Sequence, residues 1–122
     1  MNREIKFRVW DNQSDFYWGE GEGMDFKKIA FNFYDALFTD ESRLVFEQYT
    51  GLKDKNGVEI YEGDIVKATS DQYINENFVG KVIFDEGCFL TWINKNDIRG
   101  IWGEDDIVIG NIFENSELLE KL

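Results

Sequence analysis

The chain has 122 residues, 43% apolar and 16% aromatic, with 25 acidic against 13 basic side chains, one cysteine, no histidine and no proline. That length supports one ordinary hydrophobic core; a lone thiol excludes an intrachain disulfide, and the lack of imidazole excludes Ser-His-Asp and Cys-His catalysis. The net charge of −12 opposes direct contact with nucleic acid or anionic membrane, since both select clustered Lys and Arg. No apolar run approaches the ~20 residues that cross a bilayer, and Met1-Asn2-Arg3-Glu4 lacks the basic-then-apolar order of a signal peptide. A soluble, cytoplasmic protein is expected, folded as a single domain over residues 1–122.

Ile5, Phe7 and Val9 alternate with Lys6, Arg8 and Trp10, which predicts an opening strand. Phe16-Tyr17-Trp18 predicts a second, ended by a mobile turn at Gly19-Glu20-Gly21-Glu22-Gly23. That cluster is no phosphate loop, because Glu20 and Glu22 would repel the anion and no lysine follows in the Walker position. Over residues 24–38, Phe26, Ile29, Ala30, Phe33 and Leu37 fall at helical spacing, while Phe31, Tyr34 and Phe38 widen the apolar face. A short helix is the first reading there and a strand the second.

Leu44 to Tyr49 reads as strand. Asp54-Lys55-Asn56-Gly57 is a turn, because Asn and Gly tolerate the positive φ of tight hairpins. Val58 and Ile60 then share one face of a strand, with Glu59 and Tyr61 on the other, and Glu62-Gly63-Asp64 turns the chain into Ile65–Ala68. After a polar loop from Thr69 to Asn77, Phe78, Gly80, Val82 and Phe84 share a strand face, and Asp85-Glu86-Gly87 reverses the chain into Cys88–Ile93. Ile107 to Phe113 supplies the last strand, and Asn115 or Ser116 can cap a short helix carrying Leu118, Leu119 and Leu122. Five short strands joined by tight turns predict a mainly β fold. Its form is a small, strongly bent antiparallel sheet or SH3-like barrel, with an N-terminal strand/helix extension and a short C-terminal helix. An open sheet packed by a helix over 24–38 is the alternative.

The segment from Tyr49 to Val66, YTGLKDKNGVEIYEGDIV, resembles the hallmark of the YopX family, small proteins of phages and prophages in Gram-positive bacteria. The opening from Arg3 to Asp11 and the close from Val108 to Leu119 are similar to the family's ends, except that Ser116 stands where proline would be expected. The resemblance implies a barrel-like β domain and a phage or prophage origin. It brings no activity, catalytic residue or cofactor. Turn chemistry already accounts for Gly51, Gly57 and Gly63, so the segment reads as a fold motif.

Cys88, beside Phe89 and Leu90, reads as a buried inert thiol. Aligning Gly57 to the glycine of a calcium loop puts Leu52 and Gly63 where oxygen ligands are required, so that site fails. Asp105 and Asp106 are strand neighbours that point to opposite faces. Glu62 and Asp64, with Glu59 nearby, could face one side of a turn, where solvated carboxylates are the ordinary outcome. Glu4-Ile5-Lys6 and Asp25-Phe26-Lys27 match the acid-x-Lys fragment of one nuclease class without the partner acids. No metal site and no cofactor is expected.

What remains is a non-enzymatic module that binds another macromolecule, expected to be a host or phage protein with a basic face. The alternative is a carboxylate- and divalent-metal-dependent enzyme acting on phosphodiesters. A nucleic-acid-binding barrel is disfavoured by the charge. The candidate binding residues are Tyr61, Glu62, Asp64 and Trp92, with Trp92 otherwise a core residue alongside Cys88 and Leu90. A self-association face is equally open.

Overall fold

A computed structural model describes residues 4–25, 27–29, 43–68, 78–101 and 105–120, which fall into two compact units, Met1–Tyr49 and Thr50–Leu122. The first unit is built on β1 (Phe7–Asp11), β2 (Phe16–Tyr17) and the opening of β3 (Leu44–Lys53), with β1 antiparallel to both neighbours. The register sets Val9 opposite Phe46 and Arg8 opposite Glu47, so alternation sends these pairs to opposite faces. Val9, Trp18, Met24, Ile29 and Leu44 form the apolar cluster, with Phe7 packed against it. On the other face Arg8 Nε donates to Glu47 Oε1 at 2.8 Å and the Tyr17 hydroxyl to the same oxygen at 2.7 Å. The Arg8 guanidinium lies 4.7 Å from the Tyr17 ring centroid.

Asp11 ends β1. Fully buried, its Oδ1 accepts the N–H groups of Gln13 (2.9 Å) and Ser14 (3.3 Å), and its Oδ2 accepts Trp18 Nε1 (3.2 Å) and Arg43 Nη2 (3.2 Å). The chain therefore turns there and seats Trp18 in the core. The second expected strand stops at Tyr17, because Trp18–Gly21 form a 3-10 turn with Gly19 and Glu20 in the left-handed region. Of residues 24–38, Met24 forms a β-bridge with Phe7 and Lys27–Ile29 are helical, their start capped by Asp25 Oδ1 accepting from Lys28 N–H at 2.7 Å. The rest of that predicted helix lies outside the described residues, as does the predicted loop over 69–77.

The second unit carries the end of β3 with β4 (Glu59–Tyr61), and a five-stranded antiparallel sheet. That sheet comprises β5 (Asp64–Ala68), β6 (Phe78–Asp85), β7 (Cys88–Asn94), β8 (Asp97–Gly100) and β9 (Asp106–Asn111), in the order β8-β7-β6-β5-β9. The fold is mainly β, as the sequence predicts, and this sheet curls strongly into a half-barrel. Ile60, Val66 and Val82 form its core, with Ile101 and Val108 against them. Strand β8 escapes sequence reading, since Ile98 is its one apolar residue and Asn-Lys-Asn precedes it. Strand β9 ends at Asn111 rather than Phe113, because Asn111 Oδ1 accepts the N–H groups of Phe113 (3.1 Å) and Glu114 (2.9 Å) and turns the chain. The short helix α1 (Glu117–Glu120) follows as predicted. The Asn115 side chain, however, reaches back to Asn111 N–H at 3.2 Å instead of capping it.

One close approach and one tight turn fix local packing. A Cβ on Gly80 would sit 2.7 Å from both Thr91 Cγ2 and the Trp92 carbonyl oxygen, so β6 meets β7 there only through glycine. The β6–β7 turn places Glu86 at φ 49° and Gly87 at φ 83°, the pair of positive values that a two-residue hairpin loop of the right twist requires.

Candidate functional site

Three polar residues of the Tyr49–Val66 segment, Thr50, Asp54 and Asp64, are aimed at backbone. Thr50 Oγ1 donates to the Ile60 carbonyl at 2.8 Å and accepts from Leu52 N–H at 3.1 Å. Asp54 is buried, and its Oδ1 accepts the N–H groups of Asn56 (2.8 Å) and Val58 (2.9 Å), while Oδ2 accepts Val108 N–H at 2.9 Å. One carboxylate thus closes the β3–β4 hairpin and ties it to a strand 54 residues later. Charge-assisted bonds of this kind are about twice as strong as neutral ones. Asp64 Oδ2 accepts Tyr61 N–H at 2.8 Å across the next turn, where Gly63 N–H donates to the Val82 carbonyl at 2.8 Å.

Of the four candidate residues, Tyr61, Glu62 and Asp64 therefore surround one turn. Tyr61 and Asp64 are buried there, at 4% and 2% exposure, and Glu62 is half-buried. The Tyr61 hydroxyl reaches Glu59 Oε1 at 3.3 Å. Trp92 stands elsewhere, half-buried on the wall of an open groove of about 560 Å³ with Phe78, Val79, Ile93 and Leu119, and with Asn94 and Asp97 as its polar lining. Neither Tyr61, Glu62 nor Asp64 lines that groove. Its aromatic walls are held by cations: Lys81 Nζ lies 4.9 Å from the Trp92 ring centroid, and the Arg99 guanidinium 3.5 Å from that of Phe78. Arg99 is itself gripped by Asp97, Nε to Oδ1 at 2.9 Å and Nη2 to Oδ2 at 3.2 Å. The result is an open surface groove whose walls are mainly apolar and whose rim carries Asn94 and Asp97.

Cys88 is exposed, contrary to the buried thiol the sequence suggests, with its Sγ 3.6 Å from the Asp85 carbonyl oxygen. The reason is its place: it closes the β6–β7 hairpin opposite Asp85, beyond the core residues of either strand. One step inward, Phe84 and Phe89 face each other with ring centroids 4.9 Å apart, and Phe84 remains 50% exposed. Phe78, Leu119, Phe84 and Phe89 are the surface residues that sequence reasoning did not single out. Gly87 held part of the signal: the sequence suggests a bulged loop over Asp85-Glu86-Gly87, but Asp85 pairs with Cys88, and the resulting two-residue loop fixes the register that sets Phe84 opposite Phe89 and Lys81 opposite Trp92.

Among the described residues, no three His, Cys, Asp or Glu side chains gather as metal ligands, and no helix is long and apolar enough to cross a membrane. One buried side-chain polar atom among them, Thr91 Oγ1, has no hydrogen-bond partner. A family model described as YopX protein matches residues 6–120. The crystal structure of protein EF1440 from Enterococcus faecalis is similar to this chain at 26% identity and a TM-score of 0.65, covering 97% of this chain and 99% of that one. A search of curated proteins found no match.

Proposed function

The chain belongs to the YopX family, and on that footing we propose that it is a non-enzymatic interaction module, an accessory protein of phage or prophage origin that binds another protein in the bacterial cytoplasm. The observation that carries this reading is the division of labour among its side chains. The buried carboxylates Asp11, Asp54 and Asp64 accept from backbone N–H groups, and Glu47 from Arg8 and Tyr17, so these acids are engaged in holding the fold. The aromatic and aliphatic walls around Trp92 instead form an open slot. The occupant is a large apolar side chain of a protein whose surroundings are basic. Apolar walls supply the contact, and the net charge of −12 attracts the cationic partner at long range.

Selection of a random dodecapeptide library on the full chain tests the reading, run in parallel on Trp92→Ala and on Leu119→Ser. The expected peptides carry one large apolar residue between Lys or Arg residues, and they are lost on both variants. Failure to enrich any peptide, or enrichment that survives both substitutions, would remove the groove from the account.

A further inference from the structure

Asn56-Gly57, at the tip of the β3–β4 hairpin, is the one Asn-Gly step in the chain. The pair suits the turn: Gly57 sits at φ 83° with open space where a Cβ would point, so conformation rather than crowding calls for glycine. The same pair is chemically labile. With no Cβ on the following residue, the Gly57 amide nitrogen can approach the side-chain carbonyl carbon of Asn56, and both residues are exposed. Asn94, Asn96, Asn111 and Asn115 precede Lys, Asp, Ile and Ser, whose Cβ atoms hinder that approach.

The fold opposes the reaction. Gly57 N–H donates to the Asp54 carbonyl at 3.0 Å, and the flanking N–H groups of Asn56 and Val58 donate to Asp54 Oδ1 at 2.8 and 2.9 Å. Asp54 N–H closes the loop on the Val58 carbonyl at 2.7 Å. Ring closure needs the Asn56-Gly57 peptide plane to rotate toward the side chain, which breaks the Gly57 bond and strains its neighbours. It also needs the Gly57 nitrogen to give up its proton beside the Asp54 carboxylate, where a second negative charge is disfavoured.

We propose that Asn56-Gly57 is a deamidation site held closed by Asp54, so that it reacts only when the hairpin opens. In the open turn the deprotonated Gly57 nitrogen attacks Asn56 Cγ; the N–Cγ bond forms, the Cγ–Nδ2 bond breaks, and ammonia leaves with the proton. Water then opens the succinimide at either carbonyl, giving aspartate or its β-linked isomer, with no change of oxidation state. The β-linked product inserts one further atom into the backbone between the Asn56 and Val58 N–H groups. Asp54 Oδ1 then no longer spans both, and the bond from Val108 N–H to Oδ2, 2.9 Å in the intact turn, weakens with them. The product records that the hairpin has opened. The inference concerns this hairpin alone and stands apart from the groove.

Peptide mapping by mass spectrometry tests it, on the full chain incubated in mildly alkaline buffer with and without denaturing urea. Chromatography separates aspartate from β-linked aspartate at position 56. The unfolded chain should deamidate at Asn56 roughly tenfold or more faster than the native one, because the reaction no longer waits on local opening. In native buffer Asp54→Ala, its folding checked by circular dichroism, should approach the unfolded rate, whereas Asp85→Ala keeps the native rate. Asp54→Asn retains one acceptor oxygen without the charge; it should fall between the two and serves where Asp54→Ala does not fold. The isolated β-linked product should exchange its Val108 amide faster than the intact chain. A native rate equal to the unfolded rate, or a folded Asp54 variant reacting no faster than wild type, would overturn the proposal. Undiminished protection at Val108 in the β-linked product would overturn the link to β9.

Discussion

Replacing Asp54 by alanine removes a carboxylate that accepts three backbone N–H groups, those of Asn56, Val58 and Val108. A hydrogen bond to a charged group is worth about 1.5–3 kcal/mol. The Asn56 and Val58 amides both lie at exposed residues that water can serve, so the bond to the half-buried Val108 carries the largest share and the other two add less. The expected destabilisation is about 3 kcal/mol, a large share of the roughly 5–15 kcal/mol that holds a domain together. With a slope of about 1.5 kcal/mol per molar urea, the unfolding midpoint should fall by about 2 M. Asp85→Ala, at an exposed hairpin residue, should change stability by less than about 0.5 kcal/mol. Hydrogen exchange provides a local readout, because the Val108 amide loses its acceptor and should exchange much faster in the variant. A loss below about 1 kcal/mol, or unchanged protection at Val108, would refute the view that this carboxylate ties the hairpin to β9.

Asp11 gives a pH test. Burial pushes its carboxyl up, but Arg43 and the N–H groups of Gln13, Trp18 and Ser14 outweigh that and hold it below its ordinary value of 3.8. A group depressed in the folded state stabilises above its unfolded pKa, and that stability is lost as pH falls through the folded value. Asp11→Asn should therefore be less stable than wild type by about 2 kcal/mol near neutrality, and urea unfolding should show the gap closing below about pH 4. Gly80→Ala drives a methyl into Thr91 and the Trp92 carbonyl and should cost roughly 2 kcal/mol by the same assay, with shifted amides along β6 and β7. Thr91→Val replaces the unpartnered buried hydroxyl by a methyl of similar shape and should be neutral or stabilising by up to about 1 kcal/mol in thermal unfolding.

Much of the fold is legible in the sequence because local rules and tertiary needs agree there. The Asp54–Gly57 turn and Gly87 announce themselves through residues that accept positive φ, and period-two alternation marks β1 and β6. The boundaries were less legible. Asp11, Asn111 and Asn115 end or redirect elements through side-chain bonds to backbone that no periodicity reveals. The site was legible only in part. Trp92 stands on the groove wall, whereas Tyr61 and Asp64, which look exposed beside a turn, are buried because the turn's N–H groups and neighbouring strands close over them. Phe78 and Leu119 meet Trp92 only through tertiary packing, so no spacing in the sequence joins the three.

The most direct test is the affinity of a peptide recovered in the groove selection, measured by titration calorimetry on the full wild-type chain and on Trp92→Ala, in low and high salt. The predicted result is roughly tenfold or greater weakening by the substitution, with further weakening by salt. An affinity that ignores both would contradict the assignment of this family member to recognition through an acidic, aromatic surface.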